Sequence, residues 1–320
     1  MIYLILLITS FLLTYYIKNY AIKKSLVASI NERSSHTTPT PHGGGIAISV
    51  TWFIGLSYLF ITNQIDIELF SALLVGIVIS LVSFFDDIYE LSPKFRLITQ
   101  AIVSLSGLFF LGGFESLNFG FFEIENQIIT NVFAFFMIIW FVNLYNFLDG
   151  INGYAGSEAV FLSLAGLLIF GGAHFGILTV AVLGFLFWNW NKAKIFMGDV
   201  GSTLLGYNIA IFTIYYSNQE SLNFWIWIIL FSVYLFDATL TLIRRKINGE
   251  KLTQAHKKHA YQRLNQSGWS HYKVTNYLIL INIVLFSIIY FIANIFIALI
   301  LSLLVLIVCM KFVDNRKKFE

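Results

Sequence analysis

This sequence is short of everything that a water-facing surface or a cross-linked secreted fold requires. Of its 320 residues one is Cys, three are Pro and 12% are charged. The single thiol, Cys309, lies inside an apolar run and excludes a disulfide framework. A soluble domain carries about 25% charged residues, so the two soluble domains that the length alone would suggest are excluded as well. No Walker A loop and no Gly-x-Gly-x-x-Gly pattern occurs, which removes support for ATP-driven and dinucleotide chemistry. Nor does a repeat, a linker or a low-complexity tract divide the chain. What remains is apolar: 58% hydrophobic residues, 33 of them Phe. The chain reads as one integral membrane domain, residues 1–320.

A helical span needs about 20 predominantly apolar residues. Candidates lie near 1–17, 46–63, 67–85, 97–112, 128–145, 154–171, 174–190, 203–217, 222–243, 274–292 and 294–312, with Gly171-Gly172-Ala173 separating the sixth from the seventh. The expected fold is therefore all-α, a polytopic bundle of about 11 transmembrane helices. The first span is not a cleavable signal, because its positive charge (Lys18, Lys23, Lys24) follows the apolar run rather than preceding it. Basic residues mark the cytosolic side, so the N-terminus is expected outside and the C-terminus in the cytosol. That assignment makes 18–45, 86–96, 146–153, 191–202, 244–273 and 313–320 cytosolic, and all 20 basic residues fall in these segments or, for Lys311, at the inner end of the last span. The outer loops hold only acids, among them Asp66, Glu68, Glu115 and Glu220.

The inner loops also carry almost every polar cluster. Five feed helices that run outward: Pro39-Thr40-Pro41-His42-Gly43-Gly44-Gly45, Leu91-Ser92-Pro93-Lys94-Phe95-Arg96, Asp149-Gly150-Ile151-Asn152-Gly153, Gly198-Asp199-Val200-Gly201-Ser202 and Gln266-Ser267-Gly268-Trp269-Ser270-His271. Helix N-termini with free N–H groups and positive dipole ends suit a multiply charged anion such as a pyrophosphate, although loops need glycine and helices need caps in any case. Ser92 followed by Pro93 reads as an N-cap and first-turn proline, and Ser202 as a cap for the eighth span. Asp86-Asp87 closes the third span, while Asp149 and Asp199 follow the fifth and seventh. Acids at the membrane edge are costly unless paired, hydrated or metal-bound, and four at one depth suggest a hard-cation site, magnesium being bound through one or two carboxylates plus phosphates and water. The alternative is that they complement helix N-termini or pair with Lys94, Arg96, Lys192 and Lys194. In 244–273, His256 and His259 are three apart and share a face if helical. Without a thiol nearby they suit a cationic clamp on phosphate oxygens better than zinc. Glu158 and Asp237 lie inside spans; Glu158 reads as a structural partner, and His174, on the outer side, has no assignment.

In order, Arg33-Ser34-Ser35-His36 with Pro39-Thr40-Pro41 and the triple glycine, Asp86-Asp87 with Leu91-Ser92-Pro93-Lys94-Phe95-Arg96, Asn143 to Gly150, Phe196-Met197-Gly198-Asp199-Val200-Gly201-Ser202 and His256-Lys257-Lys258-His259 strongly resemble the polyprenyl-phosphate N-acetylhexosamine-1-phosphate transferase superfamily, glycosyltransferase family 4. The resemblance covers nearly the whole chain. It implies a phosphotransferase of the cytoplasmic membrane, active on the cytosolic face, that uses Mg2+ (or Mn2+) to transfer a HexNAc-1-phosphate from a UDP-N-acetylhexosamine to undecaprenyl phosphate, releasing UMP. It implies a lipid bilayer, no nucleic acid, and leaves a homodimer open. The catalytic residues it implies are Asp86, Asp87, Asp199, His256 and His259, with Asp199, Asp86 and Asp87 on the metal. The substrate-binding set is Lys94, Arg96, Asn143, Asn146, Asp149, Asn152, Gly198, Ser202, Arg263 and Gly43, Gly44 and Gly45. Asn152, where many relatives have a second acid, together with His259-Ala260-Tyr261-Gln262-Arg263, looks more like the branch that initiates O-antigen (lipopolysaccharide) or capsule than like the phospho-N-acetylmuramoyl-pentapeptide branch. A rival of another class is a transporter or lipid flippase, but such sites lie near the midplane within repeated halves, whereas here the acids gather at one edge.

Overall fold

The computed structural model describes residues 1–24, 27–28, 40–89, 91–252, 254 and 256–319; the Arg33-Ser34-Ser35-His36 motif and Pro39 lie outside the described residues. In chain order the helices are α1 (Ile2–Lys23), α2 (Gly45–Ile61), α3 (Ile67–Leu74), α4 (Gly76–Tyr89), α5 (Pro93–Phe110), α6 (Gln127–Phe147), α7 (Tyr154–Phe170), α8 (Ala173–Asn189), α9 (Asp199–Gln219), α10 (Asn223–Leu230), α11 (Ser232–Ile247), α12 (Ala260–Gln266), α13 (His271–Phe291) and α14 (Ile295–Arg316). Two short antiparallel ladders complete the described structure: Val27–Ala28 with Thr40–Pro41, and Leu117–Asn118 with Glu123–Ile124.

Every apolar run expected to span is helical. Among the described residues five runs are sufficient by length and composition to cross a membrane, with α3 and α4 counted together, and a sixth if α10 and α11 are one bent span; α2, α7 and α8 are apolar but shorter. The chain is a polytopic helical membrane protein. Ser92 caps α5 as expected, its Oγ accepting the Phe95 N–H at 3.3 Å with Pro93 in the first turn. Gly171 and Gly172, both at positive φ, separate α7 from α8.

Two spans are broken. The third divides at Val75–Gly76, where Gly76 lies against Leu204 and Tyr207 of α9 and the Tyr207 hydroxyl donates to the Ala72 carbonyl at 2.7 Å. The ninth bends by 69° between α10 and α11. A broken helix must re-satisfy its freed carbonyls, and Ser232 Oγ donates to the Ile229 carbonyl at 2.7 Å.

α9 is the centre of the molecule, buried along almost its full length between α2, α4, α6 and α10. Enclosure explains its composition. Ser202, Thr203, Asn208 and Thr213 never meet lipid, so a helix far less apolar than its neighbours is tolerated. Its first turn is the floor of the candidate site.

Candidate active site

A cavity of about 320 Å3 opens among the adjoining ends of α4, α5, α6 and α9, lined by Ser83, Asp86, Arg96, Gln100, Asn143, Asn146, Asp199 and Thr203 with an apolar rim that includes Val82, Leu97 and Phe147. Each helix delivers one part. Asp86, in the last turn of α4, accepts the Leu91 N–H at 2.7 Å and the Arg96 guanidinium at 3.0 Å. The same guanidinium nitrogen stands 3.9 Å from Asp199 Oδ2, so Arg96 bridges two carboxylates from distant motifs. Asn146 of α6 donates to Asp199 Oδ1 at 2.8 Å and to Ser202 Oγ at 2.9 Å. Asn143 is locked in an amide pair with Gln100, donating at 2.8 Å and accepting at 3.4 Å.

Gln100, Ser83 and Thr203 were absent from the expected set. Ser83 and Thr203 share a hydrogen bond of 3.0 Å across α4 and α9. An amide inside an apolar run at Gln100 was the available signal, since such a group needs a partner within the bundle.

Asp87 does not join Asp86. Successive residues on an α-helix point about 100° apart, and Asp87 turns away towards Gly198 and His42, whose Nδ1 is 3.9 Å from its Oδ2. Among the described residues no three His, Cys, Asp or Glu side chains converge to hold a metal. Adjacent acids suggest a shared ligand pair in sequence; helix phase separates them. The His42 imidazole is held below its usual pKa by burial, with Asp199 acting in the opposite sense.

The triple glycine packs helices. The Gly44 and Gly45 amides donate to the Phe196 and Met197 carbonyls at 2.9 and 2.8 Å, so neither is free for an anion. A Cβ on Gly45 would fall 2.2 Å from the Gly201 nitrogen, which is why α2 can start against α9 only with glycine there. Ser202 lies within the first turn of α9 rather than at its cap, which is Gly198, and its Oγ approaches the Gly198 carbonyl at 3.3 Å while accepting from Asn146.

Asp149, past the end of α6, is tied to the backbone of Gly198, and burial followed by the Asp199 charge pushes its pKa up to about 7. An acid that holds its proton more tightly folded than unfolded favours the fold at low pH and loses that contribution as pH rises to its folded value. The Tm difference between Asp149→Asn and wild type should therefore increase from pH 5 to about pH 7 and level off above, in a thermal-shift series on purified protein. A difference that stays flat across that range would rule out the buried acid. Asn152 donates its side-chain amide to the Asn191 carbonyl at 3.0 Å, a bond that an aspartate could not make.

Four expected residues lie elsewhere. Lys94 is exposed and absent from the cavity lining. Arg263 is 3% exposed and pairs with Asp314 of α14 at 2.6 Å, joined there by a bidentate Arg244 at 2.9 Å. His256 and His259 are not helical neighbours, since α12 begins after them, yet their rings lie 4.9 Å apart. Burial, with cationic neighbours, takes the His256 pKa down to about 4, so its ring is neutral and able both to accept and to donate. Glu158 and His174 are structural: Asn282 donates to Glu158 at 2.6 Å, and His174 meets the Tyr216 hydroxyl at 3.1 Å.

The arrangement is suited to a multiply charged substrate at the membrane edge. Two carboxylates, a guanidinium and several amides face one cavity whose rim is apolar. Comparison with known proteins agrees. Residues 69–217 match the sequence model of glycosyl transferase family 4. Over 289 residues the chain is 31% identical to the probable undecaprenyl-phosphate N-acetylglucosaminyl 1-phosphate transferase of Bacillus subtilis, covering 84% of this chain and 78% of that one. Over 265 residues it is 31% identical to a phospho-N-acetylmuramoyl-pentapeptide-transferase of Streptococcus pneumoniae, covering 73% and 78%.

Proposed function

This chain belongs to glycosyl transferase family 4, and from that premise we propose that it transfers a HexNAc-1-phosphate from a UDP-N-acetylhexosamine to undecaprenyl phosphate, yielding the lipid-pyrophosphate sugar and UMP. The wider coverage of the N-acetylglucosaminyl 1-phosphate relative supports that branch over the muramoyl-pentapeptide one. The observation that carries the reading is the joining of Asp86, Arg96, Asn146 and Asp199, from three separate motifs, around one cavity. The reaction would start a cell-envelope glycan such as O-antigen or capsule. It takes place at the cytosolic face of the cytoplasmic membrane, in a bundle of eleven crossings with the N-terminus outside.

Magnesium fits the donor set through Asp199 with Asp86, both hard oxygen ligands on the same cavity. Arg96 reaching both shows that the pair attracts positive charge. Magnesium needs only one or two carboxylates beside phosphate and water, so the lack of a three-carboxylate cluster is no obstacle. The metal would offset repulsion between the acceptor phosphate and the donor's pyrophosphate and stabilise charge at the transferring phosphorus.

The chain's own groups do the rest. The prenyl tail stays in lipid, so its phosphate reaches the cavity over the apolar rim of Val82, Leu97 and Phe147. Arg96 can move from the carboxylates to phosphate oxygens, and Asn146 holds Asp199 in one orientation. His256 adds a donor to the nucleotide's pyrophosphate. Attack is direct, so a chiral donor phosphate inverts; retention would point to an aspartyl-phosphate path.

The test is UMP release from membranes given undecaprenyl phosphate and UDP-GlcNAc, with and without EDTA. Release that EDTA stops and Mg2+ or Mn2+ restores is expected, whereas a transporter would release none. A panel of UDP-HexNAc donors then identifies the sugar.

A further inference from the structure

Asp237 is an acid within α11 that the proposed reaction does not use, and acids in such positions need a reason to be there. Its surroundings supply one. Both oxygens accept the Ala260 N–H, at 2.8 and 3.0 Å, and Oδ1 accepts the Thr241 hydroxyl at 3.2 Å. The Nδ1 of buried His259 has no other hydrogen-bond partner and lies 3.6 Å from Oδ1, just beyond hydrogen-bond distance.

α12 has seven residues, too few to be stable on its own backbone bonds. Its position is set by what grips it. Asp237 grips the start. Tyr261 grips the middle: its ring stacks at 5.1 Å on Tyr154 and at 6.0 Å on His259, and its hydroxyl donates to the Phe147 carbonyl at 3.2 Å. That hydroxyl also fills the space a Cβ on Gly150 would need. The His256–His259 segment is thereby seated against the turn that carries Asn146 and Asp149.

We propose that Asp237 is a positioning residue for phosphate transfer: through His259 and the Ala260 amide it fixes the His256–His259 segment against the Asn146–Asn152 turn. The inference rests on the reading of that segment as the clamp on the donor's pyrophosphate.

The experiment uses the full chain in detergent with undecaprenyl phosphate and the UDP-HexNAc that wild type accepts. Asp237→Asn should lower donor kcat/KM about 10- to 100-fold, the range for groups that orient a functional side chain, and leave the acceptor KM unchanged. His259→Gln should lower it similarly, and the double variant should be no worse than the poorer single one, because both act along one line. Ala260→Pro tests the amide separately. His259 is already extended at φ −60° and ψ 151°, which suits the residue before a proline, and proline is tolerated at the first helical position. It should cost several-fold in donor kcat/KM with the fold intact. A wild-type donor kcat/KM in Asp237→Asn, or losses that multiply in the double variant, would overturn the proposal. If Asp237→Asn does not purify as folded protein, an unchanged Ala260→Pro overturns it. No UMP from wild type with any donor would instead refute the transferase reading.

Discussion

Asp199→Asn should reduce UMP release by about a thousandfold while the purified protein elutes and melts like wild type. The substitution keeps shape and keeps an oxygen for the Asn146 amide now bonded at 2.8 Å. It removes the charge that stands 3.9 Å from Arg96 on the side facing the cavity. Folding is expected to depend on the first of these features and phosphate transfer on the second. Losing one preorganised electrostatic group at such a centre costs about 100- to 1000-fold in turnover, and Asp199 as the proposed magnesium ligand is expected at the upper end. Near-normal UMP release would remove Asp199 from the centre of the chemistry. Two further variants separate the adjacent acids. Asp86→Asn disturbs the Arg96 bridge and should approach the Asp199→Asn loss. Asp87→Asn acts from the His42 and Gly198 side and should respond differently to added Mg2+.

The second large effect is on folding. Gly45→Ala places a methyl 2.2 Å from the Gly201 nitrogen and 2.5 Å from its Cα, both backbone atoms of the α9 first turn that cannot rotate away. Overpacking a tight site costs about 1–3 kcal/mol when side chains can adjust, and more when they cannot. Here the two helix starts must separate, breaking the Gly44 and Gly45 hydrogen bonds to Phe196 and Met197. Gly45→Ala should give little monodisperse protein on size exclusion. Gly44→Ala meets chiefly the Phe185 ring, which can turn, and should be recovered in larger amount. Equal yields would show that the α2–α9 contact is softer than its geometry implies.

Sequence legibility followed local chemistry. Apolar runs, the Ser92 cap and the Gly171–Gly172 break are set by residues within one or two turns of where they act, and each was readable. The breaks at Val75–Gly76 and Phe231 lie inside apolar runs; Gly76 packs against Tyr207 of α9 and Ser232 caps a freed carbonyl, contacts that only tertiary structure reveals. Of the expected site residues, Asp86, Arg96, Asn143, Asn146 and Asp199 line one cavity, while others lie away from it for reasons of geometry. Asp86 and Asp87 are neighbours in sequence and diverge in space. Arg263 carries the right charge for phosphate but is spent on Asp314. The glycines at 43–45 have the composition of an anion loop, yet two of their amides are already committed. Asp237 stood out as a costly intramembrane acid, and its contact with the start of α12 became visible only in the folded chain.

The enclosure of α9 bears on how the molecule is assembled. A helix with Ser202, Thr203, Asn208 and Thr213 on its faces would partition poorly into hydrocarbon alone. Three of the elements that surround it, α2, α4 and α6, are translated before it. Translation order therefore makes a protein-lined berth available before α9 is complete, so that α9 can dock there without residing in lipid and bring Asp199 to the cavity.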